Sequence, residues 1–180
     1  ITEVTVKILK KPEVVKAALI GFSSIEDAGQ CVSEIIAKGI IPAGMEIMDK
    51  ALTKATNDYS KAGYPVDAEA MMIVELDGTE TEVLELIKRV EDIAKKNKCS
   101  SIKINKSEEE RLKFWAGRKA AFPACGDLAP DYMCMDGSIP RGKLAEVLKE
   151  IQKLSKKYEL PVANAFHAGD GNLHPLIMFN

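Results

Sequence analysis

A doubled pattern limits the folds open to this chain more than any other feature. Twice before Lys106, extended apolar sequence leads into helix-spaced apolar sequence and then into a second extended stretch. Glu3 to Lys10 alternates Val4, Val6 and Ile8 against Thr5 and Lys7, which predicts a half-buried strand ended by Pro12. Ala17 to Phe22 is a short apolar run. Ser24 is placed to N-cap a helix in which Ile25, Ala28, Val32, Ile35 and Ile36 keep helical spacing, and Gly39 closes it. An extended stretch, Ala43 to Met48, follows Pro42, and Tyr59 to Pro65 reads as a polar loop. Met71 to Leu76 predicts a strand. Thr79 and Glu82 then make a capping box for a helix to about Asn97, with Val83, Leu86, Ile87, Val90, Ile93 and Ala94 inward. Ser101 to Asn105 reads as the returning strand. Strand–helix–strand, repeated, is the ferredoxin-like split βαβ pattern: an α+β fold whose antiparallel sheet carries its helices on one face. Proteins of unrelated activity share that core, so function has to be read from other residues.

The last third extends the core by a C-terminal helix and a hairpin. Ser107 and Glu110 form a second capping box for a helix through about Phe122, Pro123 to Asp131 is loop, and Tyr132 to Asp136 predicts a strand. Arg141 to Tyr158 spaces Leu144, Val147, Leu148, Ile151 and Leu154 as one apolar helix face.

The chain's 2 histidines, His167 and His174, both flank the turn Gly169-Asp170-Gly171. Asp-Gly between the apolar runs Val162 to Phe166 and Leu176 to Phe179 is a strong hairpin signal. A loop of about six residues would set the two imidazoles face to face across the hairpin mouth. Two neutral imidazoles so held suit Zn, Mn or Fe, or a base paired with a carboxylate reader. The plainer alternative is two half-exposed histidines beside a turn. Concentration of all the histidine on one Gly-rich turn favours the functional reading.

Arg118 is the second candidate. At 3.6 residues per turn, Phe114, Trp115, Arg118 and Phe122 share one helix face, while Lys113 points away. Such an arginine either snorkels past its neighbours or stacks on Trp115, or it holds an anion. A substrate carboxylate would supply that anion in bidentate geometry.

Composition excludes more than it suggests. A net charge of -2 gives no electrostatic case for nucleic acid or an acidic membrane. No apolar run approaches the ~18 residues of a membrane span, and no signal peptide opens the sequence. The 4 cysteines lack Cys-x-x-Cys spacing, which points to reduced thiols in a cytoplasmic protein, with Cys134 packed in a strand between methionines.

Three stretches carry a family resemblance: Phe114-Trp115-Ala116-Gly117-Arg118-Lys119-Ala120-Ala121-Phe122-Pro123, then Pro130 to Pro140, then the histidine turn. Together they resemble the FAD-linked oxidases of the vanillyl-alcohol-oxidase superfamily, most closely the catalytic subunits of bacterial glycolate oxidases (glycolate dehydrogenases). Pro42 to Asp49 is similar to that family's P-x-x-x-E-x-M-D stretch, and the likeness runs from Ile1 to Asn180. It implies an FAD-binding domain upstream, with residues 1–12 as the strand leaving it and residues 13–180 as a substrate (cap) domain, inactive alone. The family completes its histidine pair with a glutamate in a later Glu-His-Gly stretch, expected beyond Asn180, along with a helical tail. The implied reaction is oxidation of a small 2-hydroxy acid, glycolate to glyoxylate, with D-lactate as the alternative. Arg118 would orient the carboxylate, His167 and His174 would hold a divalent metal or take the hydroxyl proton, and Gly169, Asp170, Gly171 and Asn172 would face the flavin. Dicarboxylate-using relatives carry a threonine and a lysine where this sequence has Phe122 and, approximately, Cys134, which fits a small substrate. Implied partners are the FAD-binding domain and other glycolate oxidase subunits, an iron–sulfur subunit among them, in a cytoplasmic assembly peripheral to the inner membrane. Two readings compete: a ferredoxin-like module that binds a small molecule without chemistry, and a metal-dependent hydrolase, which would need a third protein ligand.

Overall fold

Strand structure begins after Pro12, not before it. The computed structural model describes residues 1–180, and of these residues 1–12 pair with nothing. Val4, Val6, Ile8 and Leu9 are exposed. The strand expected over Glu3 to Lys10 is therefore corrected: alternation supplies a face, but a strand also needs a neighbour for its N–H and C=O groups. The first strand is β1 (Val14–Phe22), followed by α1 (Ile25–Ala37), β2 (Gly44–Asp49), α2 (Lys50–Ser60), β3 (Ala70–Gly78), α3 (Glu80–Lys96) and β4 (Cys99–Ile104). Ser24, Thr79 and Ser107 cap where the sequence placed them, although Glu110 closes on the Lys106 amide and not on that of Ser107. Ser24 Oγ accepts from Asp27 N at 3.0 Å, and Glu82 accepts from the Thr79 amide at 3.1 Å.

These four strands lie in the order β4-β1-β3-β2, antiparallel throughout, which is the split βαβ arrangement expected. Then come α4 (Glu108–Lys119), α5 (Ala121–Ala124), β5 (Asp131–Cys134), β6 (Gly137–Ser138), α6 (Leu144–Tyr158), β7 (Val162–His167) and β8 (Asn172–Phe179). The hairpin of β7 and β8 joins the free edge of β2 and extends the sheet to eight strands, with β5 and β6 both pairing with β8.

Helices cover both faces of this sheet, not the single face expected. One apolar cluster joins α1, α3 and the first turns of α6 to Ile20, Met72, Ile47 and Phe166. A second joins α2, α4 and α5 to Leu19, Ile73, Met48 and Leu176 on the opposite side. The cause is visible in β1 and β3, whose centres (Ala17 to Ile20, Met71 to Val74) are buried at every position. A strand buried on both faces reads as a continuous apolar run and not as an alternation. Only Leu144 and Leu148 of the apolar face on α6 are fully covered. Leu154 stays exposed beside a hollow of about 300 Å³ that it lines with Tyr158, Leu160 and Ile177.

Asp49 N-caps α2 through a 3.0 Å bond from Leu52 N, and Asn164 Nδ2 donates to its other oxygen at 2.8 Å. Burial pushes its carboxyl up to about 6, against the downward pull of those hydrogen bonds. A carboxyl whose folded pKa lies above its unfolded value near 3.9 binds its proton more tightly in the folded state. Its contribution to stability therefore falls as pH rises from about 4 to about 6 and is flat above. Between pH 5 and pH 7.5 the wild-type chain is expected to lose about 1 kcal/mol relative to Asp49→Asn, which keeps a capping oxygen. Urea titrations of both proteins at the two pH values measure it. A constant difference would show that Asp49 stays ionised throughout.

Candidate functional site

Strand register assembles the candidate site. Pairing of β2 with β7 sets Glu46 opposite His167, and pairing of β7 with β8 sets His174 opposite Ala165 and Asn172 opposite His167. The hairpin loop is Ala168 to Gly171, shorter than expected, so the histidines are diagonal neighbours and not direct partners. They still share a face, because Asn172 and His174 are two apart on one strand. Their ring centroids are 5.2 Å apart and the rings are near-perpendicular at 89°. His174 is largely covered and His167 is half exposed.

Behind the histidines lies a buried carboxylate. Glu46 Oε1 is 2.7 Å from His167 Nδ1, and Glu46 Oε2 is 3.0 Å from both Nε and Nη2 of Arg118. Glu46 and Arg118 are each only 8% exposed, so both charges depend on this contact. One anion for Arg118 is thus supplied by the chain itself. Glu46 uses the side-on edge of the guanidinium. The end-on edge, Nη1 with the second proton of Nη2, remains for another acceptor. Glu46 stands inside the Pro42 to Asp49 motif, which by itself assigns it no role. It could have been found by the reasoning that found Arg118, as a charge among the buried residues Met45, Ile47 and Met48.

Two sequence motifs meet in this contact. Trp115 does not stack on Arg118: its Nε1 donates to Glu75, and its ring lies against Gly44, where a Cβ would come within 3.0 Å. Gly117 leaves space for Tyr64, whose hydroxyl donates to the Phe114 carbonyl. Phe122 falls beyond the end of α4 and is partly buried.

The turn amides are already used. Gly169 N donates to Met45 O at 3.2 Å, while Asp170 N and Gly171 N both donate to His167 O, at 3.0 and 3.1 Å. Arg141 donates to Gly169 O at 3.1 Å. Gly171 has φ +74°, and a Cβ there would lie 2.3 Å from Ile139 O, so only glycine fits. The amides of Gly169, Asp170 and Gly171 are thus each taken by a backbone carbonyl, of Met45 or of His167. The side chains of Asp170 and Asn172 are what this segment offers outward, and Asn172 Nδ2 itself donates to Asp136 Oδ1 at 2.8 Å. A cavity of about 190 Å³ opens beside the turn, lined by Met45, Glu46, Arg141, His167, Gly169 and Asp170.

As a metal centre the donor set fits in kind and falls short in number. Two imidazole nitrogens suit Zn, Mn or Fe, but no third His, Cys, Asp or Glu joins them. The nearest carboxylate to His174 Nδ1 is Asp136 Oδ1, at 3.8 Å. Burial pushes the Cys31 thiol up to about 12 and the Cys125 thiol up to about 11. Cys134, expected to pack within a strand, is exposed on β5 instead.

Residues 11–180 match the family described as FAD linked oxidases, C-terminal domain. The glycolate oxidase subunit GlcD of Escherichia coli strain K12 is 55% identical over 99% of this chain and 36% of its own length. GlcD of Bacillus subtilis is 37% identical over 97% of the chain and 37% of its own length. D-lactate dehydrogenase [cytochrome] 1 of Saccharomyces cerevisiae is 29% identical over 99% and 32%. The chain thus spans about a third of the length of the curated relatives it matches. Among solved structures, p-cresol methylhydroxylase superposes with a TM-score of 0.68 at 14% identity, over 94% of this chain and 39% of that one, a likeness of fold. The chain belongs to the FAD-linked oxidase C-terminal domain family.

Proposed function

We propose that this chain is the substrate domain of an FAD-dependent 2-hydroxy-acid dehydrogenase that oxidises glycolate to glyoxylate. The observation that carries the reading is the pair of imidazoles 5.2 Å apart with Glu46 and Arg118 behind them. Likeness to glycolate oxidase subunits over nearly the whole chain supports it.

Oxidation of a 2-hydroxy acid removes a proton from the hydroxyl and a hydride from the α-carbon. The chain's residues bear on the proton and on the carboxylate. The end-on edge of Arg118 binds the carboxylate and fixes which face of the α-carbon is presented. With Nδ1 held by Glu46, His167 turns its bare Nε2 outward and takes the hydroxyl proton, and His174 lies across from it as a second acceptor. FAD, held mainly by a domain outside these residues, supplies the hydride acceptor. In the alternative to that base role, a divalent Zn, Mn or Fe ion held by His167 and His174, with a further ligand, would supply Lewis-acid activation of the hydroxyl. Asp170 and Asn172 border the flavin side of the site.

Partner subunits, an iron–sulfur subunit among them, complete the proposal, with a cytoplasmic assembly at the periphery of the inner membrane. No helix is long and apolar enough to cross a membrane. D-Lactate is the second substrate reading, supported by the likeness to D-lactate dehydrogenases. Turnover of the intact protein with glycolate, D-lactate and D-2-hydroxyglutarate, using an artificial electron acceptor, separates these. Glycolate is expected to give the highest kcat/KM and the dicarboxylate the lowest. Preference for the dicarboxylate would overturn the assignment.

A further inference from the structure

We infer that Glu46 is a positioning residue that sets which nitrogen of His167 carries the proton, and that Arg118 sets how Glu46 can do so. The inference rests on the reading of His167 as a ligand or base, and it concerns how that nitrogen is made available. An ionised carboxylate only accepts hydrogen bonds. With Glu46 Oε1 2.7 Å from Nδ1, the neutral imidazole must carry its proton on Nδ1 and leave the Nε2 lone pair bare. A free imidazole in water places its proton on either nitrogen. Glu46 removes that choice and fixes the ring direction as well, since β2 and β7 hold the two residues as direct cross-strand partners. A carboxylate behind a histidine in this way fixes the tautomer and the orientation of the ring.

Arg118 makes the device depend on charge and not only on shape. It donates to Glu46 Oε2 from Nε, with Nη2 3.0 Å from the same oxygen, and accepts nothing, so whatever occupies position 46 must present an oxygen on that side. In Glu46→Gln the single amide oxygen is therefore committed to Arg118, and the amide NH₂ turns toward His167. Nδ1 must then accept, the ring proton moves to Nε2, and the lone pair is lost from the site. The substitution is nearly isosteric and keeps two hydrogen bonds. A Glu46 with only a structural role would leave the tautomer of His167 unchanged by it.

The test uses the intact protein labelled with ¹⁵N-histidine. Long-range ¹H–¹⁵N correlation spectra, with His167 assigned by its loss in His167→Gln, report the protonated nitrogen directly and need no metal. Wild type is expected to be protonated at Nδ1 and Glu46→Gln at Nε2. Replacing the arginine as well, in Glu46→Gln/Arg118→Met, frees the amide to turn its oxygen back, and Nδ1 protonation is expected to return. Zn or Mn affinity, measured by chelator competition well below the melting temperature of each protein, is expected to fall about 10- to 100-fold in Glu46→Gln. Protonation of wild-type His167 at Nε2, or an unchanged tautomer in Glu46→Gln, overturns the inference. If Glu46→Gln does not fold, the wild-type and double-variant spectra still decide it. Unchanged metal affinity in His167→Ala would instead remove the metal reading of the site, and the tautomer result would stand apart from it.

Discussion

His167→Ala and His174→Ala, introduced singly into the intact protein, are each expected to lower kcat/KM for the preferred 2-hydroxy acid by about 100- to 10,000-fold. That is the range for loss of a positioned acid–base group. Neither residue belongs to an apolar cluster, so the fold should survive both changes. The two losses should not add. Residues acting as one unit lose most of their function with the first removal, and the double variant is expected close to the worse single one. Steady-state kinetics together with thermal melts measure this. Activity within a few-fold of wild type in either folded single variant would mean that the hairpin mouth is not where the hydroxyl proton is taken.

Arg118→Met is expected to destabilise the protein by about 3–5 kcal/mol, because it leaves the Glu46 carboxylate buried without its counter-charge. Its partner is the test of that cause. In Arg118→Met/Glu46→Leu both charges are gone, and stability is expected to return to near the wild-type value, since apolar replacement of a buried ion pair is often neutral or favourable. Activity should not return with it. Denaturant titrations of the three proteins give the stabilities, and turnover gives the rest. A single variant within about 1 kcal/mol of wild type would show that water reaches the pair and screens it. A double variant as unstable as the single one would trace the loss to packing around Phe114 and Tyr64 instead.

Several elements were legible in the sequence because their signals are local. A cap and its third residue, such as Thr79 and Glu82, announce a helix start whatever packs on it later. The Gly-Asp-Gly turn announced a hairpin, and the spacing of the two histidines around it announced a shared face. By contrast, α2 was missed because Thr53 and Thr56 occupy buried positions where an amphipathic pattern would show aliphatic residues. The second helical layer was missed for a related reason. Burial of both faces of β1 and β3 erases the alternation from which a one-sided sheet is read.

The sequence by itself determined the split βαβ core, the place of the hairpin, the collection of histidine at one turn and the oddity of an arginine on an aromatic face. Each follows from residues within a few positions of one another. Tertiary structure alone decided that residues 1–12 pair with nothing, that helices cover both faces, and that Arg118 is answered by Glu46. Glu46 and Arg118 are 72 residues apart and Glu46 and His167 are 121 apart. No local period relates them. What joins them is the antiparallel register of β2 with β7 and the passage of α4 over that face, and register is set by the pairing of whole strands.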